Sequence, residues 1–336
     1  MLPQFQPLSF SWVALHPRPK GVILFIGGAF FGTFPTIFYR HLLNELFQAG
    51  YTLVALPFRF SFRHWSIALN LLDEQQTLRQ LLSTQAQAQG YAADVYSESA
   101  SYFWLGHSLG CKYVALLELL SGKNYAATVA EVIDAQTAQW LQRRLTGQEQ
   151  GICNQPSLLM APDISDTTTA VPVKALARLL DRLKLGVQPT RRQTQDLIDR
   201  SQLFHLTGLI SFDKDTVAGS IQDTCEAESD VLWLYRHLQS KGLLHTELEG
   251  KHLEPVGVQV GDAIADFNPL DKFLKPLSRW VTGATVLKLL NDLRLRSAPV
   301  SLPAPLPEPM PQPVLLSIPE PVAVRKMEAT INDVAS

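Results

Sequence analysis

Cysteine is scarce in this chain: Cys111, Cys153 and Cys225 are the three present in 336 residues, and they lie far apart. Such spacing excludes a disulfide scaffold and supplies no paired zinc ligands. It fits inert thiols in a reducing compartment. An excess of either charge is also lacking. Lys and Arg number 29 against 31 Asp and Glu, a net of −2, so no global field draws the chain to nucleic acid or to an anionic membrane. One charge-free run, Gly21 to Tyr39, approaches the length of a bilayer span. Gly27, Gly28, Gly32, Thr33, Pro35 and Thr36 interrupt it, and it reads instead as a buried strand, a glycine loop and a helix opening near Pro35. No basic segment opens the chain as a secretory signal would, so a cytoplasmic location is expected.

What is present is the pattern of a folded α/β chain. Hydrophobic residues make up 46% and charged residues 18%, enough apolar side chain for a sizeable core. Short apolar runs read as strands at Phe10–Leu15, Val22–Ile26, Tyr51–Leu56, Tyr102–Leu105, Ser157–Met160, Leu206–Phe212 and Leu243–Leu248. Helical spacing falls between them, over Thr36–Gln48, Asn70–Gln89, Leu109–Leu120 and Asp230–Ser240. Near-continuously apolar strands separated by helices predict a doubly wound, mostly parallel sheet covered on both faces. Sites in such sheets lie just after the strands.

Two connections exceed the usual length. Lys123–Pro156 carries a helical pattern over Thr128–Leu145, and residues 163–202 carry another over Val173–Leu185. The second, leaving the sheet beside the expected site, reads as a helical lid insertion. Leu270–Leu295 reads as a basic amphipathic helix, so peripheral membrane contact through 270–296 is weighed against simple packing on the sheet. Prolines then recur at every second position from Pro303 to Pro313, which forbids helix and favours an extended tether. A domain over 1–297 followed by a proline-rich tether and disordered tail over 298–336 is expected.

Gly106-His107-Ser108-Leu109-Gly110 joins the strand ending at Leu105 to the helix beginning at Leu109. A serine between two glycines at a strand-to-helix junction has the form of a nucleophile elbow. Its hydroxyl needs a base, and the base needs an acid to orient it. The acid is sought where Leu206–Phe212 ends: Asp215 fits best, set out in the turn, with Asp213 next and Asp163 a third possibility one strand earlier. A helix cap at Asp215 is compatible with that role. The base is His252, in the loop after the last strand, while His107 is read as packing beside the pocket. Two amides must receive an oxyanion. Leu109 supplies one, and Ala29 or Phe30 in the Gly27–Gly32 loop supplies the other. The loop is Gly-Gly-x-x-x-Gly and not Gly-x-Gly-x-x-Gly, so no nucleotide cofactor is expected, and no metal. Phe58 to Trp65 alternates aromatics with Arg59 and Arg63. With Phe31, His107 and Arg59 it suggests a hydrophobic pocket wall with an anion anchor.

Serine, acid and histidine in this order resemble the α/β-hydrolase superfamily over about Phe10 to Ser297. More narrowly, Val22–Gly32, Phe58–Trp65, Tyr102–Lys112 and Glu247–Pro255 resemble the cyanobacterial and plastid domain-of-unknown-function family 1350. That resemblance implies a photosynthetic setting and no particular reaction. Phe30-Phe31 departs from the His-Gly-Gly oxyanion loop of common esterases, leaving the second donor open. The expected activity is hydrolysis of an ester or thioester of a hydrophobic acyl or isoprenoid substrate through an acyl-enzyme. The alternative is a non-catalytic scaffold of the same fold that binds a protein partner, lipid or pigment.

Overall fold

Strands apolar on both faces set the centre of the molecule. The computed structural model of the chain describes residues 1–146, 151–164, 186–265 and 274–297. In it β3 (Val22–Ile26), β4 (Thr52–Ala55), β5 (Tyr102–His107), β6 (Ser157–Met160) and β7 (Thr207–Phe212) are buried at every position. Alternation splits each strand between two cores. Val22, Leu24 and Ile26 face one, and Ile23 and Phe25 the other. With β1 (Gln6–Leu8), β2 (Ser11–Ala14) and β8 (Leu244–Leu248) they form an eight-stranded sheet of order β1-β2-β4-β3-β5-β6-β7-β8.

From β4 to β8 all pairings are parallel. β1 and β2 run antiparallel to each other and to β4, so the sheet is mostly parallel, as expected. Buried Glu74 holds their turn, accepting from the Ser9 and Ser11 hydroxyls at 2.7 and 2.6 Å and from the Phe10 amide at 2.9 Å. The strand order reverses between β3 and β5, and a switch point of this kind opens a crevice at the strands' carboxyl ends.

Helices cover both faces. α3 (His64–Ala88) and α4 (Leu109–Ser121) lie on one side. α4 is apolar nearly all round because it is buried nearly all round. α2 (Arg40–Gln48) and α9 (Thr282–Ser297) contribute Leu42, Leu43, Leu46, Val286, Leu289 and Leu290 to the opposite core. Three predicted helices differ in extent. Thr36–Gln48 is divided at Tyr39 into α1 (Pro35–Phe38) and α2. The helix expected from Asn70 begins at His64, in the first turn after the aromatic–arginine segment. Thr128–Leu145 is two helices, α5 (Tyr125–Val132) and α6 (Ala135–Leu145), because Asp134 caps the second by accepting from the Thr137 amide.

α7 (Arg191–Arg200) and α8 (Asp230–Leu238) complete this layer. The helix expected over Leu270–Leu295 is also corrected. A small antiparallel sheet of β9 (Val258–Val260), β10 (Ala263–Ala265) and β11 (Leu274–Pro276) takes its start, and the helix proper opens at Thr282. Lys275, which lies within that expected basic helix, is paired with buried Glu254. Among the described residues no helix is long and apolar enough to cross a membrane. The lid helix expected over Val173–Leu185 and the tether over 298–336 fall outside the described residues.

Candidate active site

The loops after β3 and β5 meet at the switch point, where a Cβ on Gly28 would lie 3.0 Å from the Ser108 Cβ, and the second carries Ser108. Ser108 has φ 54° and ψ −125°, a conformation that costs energy and persists where the surroundings impose it. Here the Ser108 amide donates to the Met160 carbonyl on the adjacent strand (3.0 Å). The Ser108 carbonyl accepts from Cys111 (3.0 Å) and Asp163 (3.3 Å). Both flanking glycines are required by close approach. A Cβ on Gly110 would lie 2.1 Å from the Ile26 carbonyl oxygen, and one on Gly106 would lie 2.9 Å from the Cys111 backbone.

His252 Nε2 lies 2.8 Å from Ser108 Oγ, and His252 Nδ1 lies 2.8 Å from Asp215 Oδ2. The Asp215 side chain is wholly buried, and its other oxygen accepts from the Val217 and Ala218 amides at 2.7 and 3.0 Å. A carboxylate with those donors accepts from the ring, so the proton sits on Nδ1 and Nε2 is left to accept from the serine hydroxyl. Asp215 thus caps a turn and orients the histidine at once. Of the other acid candidates, Asp213 accepts from the Gly250 amide at 2.9 Å and braces the loop carrying His252. Asp163 places its backbone amide on the Ser108 carbonyl.

The α4 N-terminus opens at Leu109, and no described residue accepts the Leu109 amide hydrogen. The same holds for Ala29 and Phe30, while Phe31 and Gly32 donate back to Ala29 and Gly28 at 2.7 Å each. Free amides at a helix start and an adjoining loop suit an anion. Phe30 has φ 61° and turns its ring outward onto Phe60, with centroids 5.0 Å apart. Phe31 packs edge-on against Phe38. Arg59 and Arg63 line an open cleft of about 850 Å³ with Phe58, Ile67 and Asn70. Ser108 is not among the residues lining it.

His107 corrects the expectation that it borders the pocket. It is fully buried, with Nδ1 2.8 Å from the Tyr39 hydroxyl and Nε2 2.9 Å from the His252 carbonyl oxygen. Burial, and then the nearby His252, push its pKa down to about 3, so the ring is neutral. Tyr39, which sequence reasoning passed over, also accepts from the Gly28 amide at 2.7 Å. Burial raises its hydroxyl's pKa well above the ordinary value. The trace Tyr39 leaves in the sequence is an aromatic closing the charge-free run.

A family model described as a protein of unknown function, DUF1350, matches residues 4–295. Comparison with curated proteins finds no match. Among solved structures, the carboxylesterase Cest-2923 from Lactobacillus plantarum superposes with a TM-score of 0.51 at 14% identity, covering 87% of this chain and 98% of that one. Esterase B from Lactobacillus rhamnosis gives a TM-score of 0.50 at 14% identity, over 85% of this chain and 81% of its own. With the sheet order and helical layers described, these likenesses identify the architecture as the α/β-hydrolase fold.

Proposed function

Because the chain belongs to the DUF1350 family, whose description assigns no reaction, we propose its activity from the site itself: a serine hydrolase that cleaves an ester or thioester through an acyl-enzyme. One observation carries this reading. Ser108 Oγ, His252 and Asp215 form a continuous hydrogen-bonded line, 2.8 Å at each joint, on a strained strand-to-helix turn.

In the proposed reaction His252 Nε2 accepts the Ser108 proton as Oγ attacks the acyl carbon. Asp215 holds the Nδ1 proton and stabilises the imidazolium that results. The developing oxyanion is received by the Leu109 amide and by that of Ala29 or Phe30. His252 then protonates the leaving group, and a water activated by the same nitrogen releases the acid. Exposed Phe30 and its partner Phe60 offer an apolar surface beside the oxyanion loop, which favours a hydrophobic acyl or isoprenoid group.

A fluorophosphonate probe, which reacts with an activated serine, tests the reading. Stoichiometric labelling of wild type at Ser108, lost in Ser108→Ala, is the expected result. An unlabelled wild type, under conditions that label an ordinary esterase, sinks it and leaves the scaffold role. p-Nitrophenyl esters of increasing chain length then read the preference for apolar acyl groups.

A further inference from the structure

Tyr39 and His107 do nothing in the chemistry outlined above, yet both are fully buried and both reach its parts. Their hydrogen bonds run in one direction. The His252 carbonyl oxygen can only accept, so the His107 proton must be on Nε2. Nδ1 is then bare and accepts from the Tyr39 hydroxyl. The Tyr39 oxygen, having spent its proton, accepts from the Gly28 amide. Every donor has an acceptor, and the three contacts measure 2.7, 2.8 and 2.9 Å from Gly28 through Tyr39 and His107 to His252. In the buried interior, charging His107 would place a second donor against the Tyr39 hydroxyl and break this order.

The two ends are the informative part. Gly28 precedes Ala29 and Phe30, whose amides point to no partner among the described residues, and a Cβ built on it would lie 3.0 Å from the Ser108 Cβ. His252 carries the base. Because Tyr39 takes the Gly28 amide, the loop's next amides are the ones left for substrate. Because His107 takes the His252 carbonyl, the imidazole is held from behind as well as by Asp215. We propose that Tyr39 and His107 are positioning residues, forming a hydrogen-bonded relay that sets the oxyanion loop and the catalytic histidine in one register. The relay rests on the hydrolase reading. It adds that the two loops are coupled to each other, and not only each to Ser108.

The break between α1 and α2 follows from it. Tyr39 leaves helical geometry, with φ −107° and ψ 22°, where a continuous helix would hold its side chain on the helix surface. At that point the hydroxyl reaches the Gly28 amide and the ring packs edge-on against Phe25 and His107, with centroids 4.6 and 5.5 Å away.

Fluorophosphonate labelling rates of the full chain test the relay. Wild type is measured first, and failure there refutes the hydrolase reading and not the coupling specifically. With wild type reactive, Tyr39→Phe and His107→Leu should each slow labelling by about ten-fold or more, and the double variant should be no slower than the worse single one, since either change cuts the same chain. His107→Gln, whose amide can donate to the His252 carbonyl from nearly the Nε2 position, should recover part of the His107→Leu loss. Folded variants that label at the wild-type rate, or losses that multiply in the double variant, overturn the relay. If His107→Leu does not fold, ¹⁵N spectra of wild type decide. One bare and one protonated ring nitrogen on His107, unchanged from about pH 5 to 8, support the relay. A His107 that titrates over that range overturns it.

Discussion

Ser108 and Ser211 each lie within hydrogen-bond distance of a histidine, at 2.8 Å from His252 Nε2 and 2.9 Å from His245 Nε2. Both serines are buried, and each has an acidic residue close by. The surroundings differ in three ways. Ser108 stands on a strained turn, whereas Ser211 lies inside the regular strand β7, where neighbouring amides are spent on the ladder to β6 and β8. Asp215 bonds the far nitrogen of its histidine, whereas Glu247 lies 3.5 Å from the serine hydroxyl itself. A serine that donates its one proton to Glu247 has none for His245. Finally, Leu109 opens a helix whose first amides face the Ser108 side. Contact between serine and histidine is therefore the lesser part of what the proposed role of Ser108 requires. Backbone conformation and the placing of the acid distinguish these two pairs.

The sharpest way to break this contrast is to remove each hydroxyl. Ser108→Ala should lower kcat on a p-nitrophenyl ester by about 10⁶-fold, while Ser211→Ala stays within about two-fold of wild type. Comparable losses from both would mean that the strand serine takes part in turnover. The acids come next. Asp215→Asn should cost about 10⁴-fold in kcat, because an amide no longer stabilises the imidazolium and favours the wrong tautomer. Glu247→Gln should leave kcat within about two-fold. A mild effect at Asp215 would assign its carboxylate to capping the turn at Val217 and Ala218.

The elements that carry this contrast differ in how far they were legible. Val22–Ile26 and Ser157–Met160 occur with the boundaries read from the sequence, because buried parallel strands are marked by uninterrupted apolar runs. Ser108, Asp215 and His252 were each named from position after a strand, and the structure brings their side chains together. β2 falls within the predicted strand Phe10–Leu15, but β1 was missed because three residues leave too short a pattern, and the anchor of their turn, Glu74, lies 63 to 65 residues away. The small sheet around β10 displaced part of a predicted helix, since Pro276 lacks the amide hydrogen a helix interior needs. Tyr39 and His107 act through contacts 68 and 145 residues apart in sequence, which no local spacing encodes.

Two glycines extend the comparison from side chains to backbone. Gly110→Ala should destabilise the fold by about 3 kcal/mol or more, because the added Cβ meets the Ile26 carbonyl at 2.1 Å and backbone must move. The displaced elbow should also lose labelling at Ser108. Gly208→Ala, on β7, meets the side-chain ends of Leu158 and Leu293 at 2.8 and 3.4 Å. Those ends can turn aside, so about 1 kcal/mol with unchanged labelling is expected. Urea titrations of both variants supply the stabilities. Equal costs would mean that Gly110 is not held against β3 as tightly as the elbow requires.

The smallest effect concerns the protonation of His245, the histidine of the strand pair. Burial lowers its proton affinity and the Glu247 carboxylate partly restores it. Among the described residues, Ser211, the Glu247 carboxylate and the Tyr235 ring, 4.9 Å away, act on it. With the folded pKa depressed, the unfolded chain binds more protons below about pH 6.5, so this group's contribution is complete above that value and is lost as the pH falls. His245→Phe removes the group from both states. Its Tm should therefore drop less than that of wild type between about pH 7 and pH 5. An equal or larger drop in the variant would mean that the folded protein accepts a proton at His245 as readily as the unfolded chain does. Ser211 would then donate to Glu247 with an imidazolium beside it, an arrangement in which His245 has no lone pair to take a serine proton, and the pair would be further still from the one at Ser108.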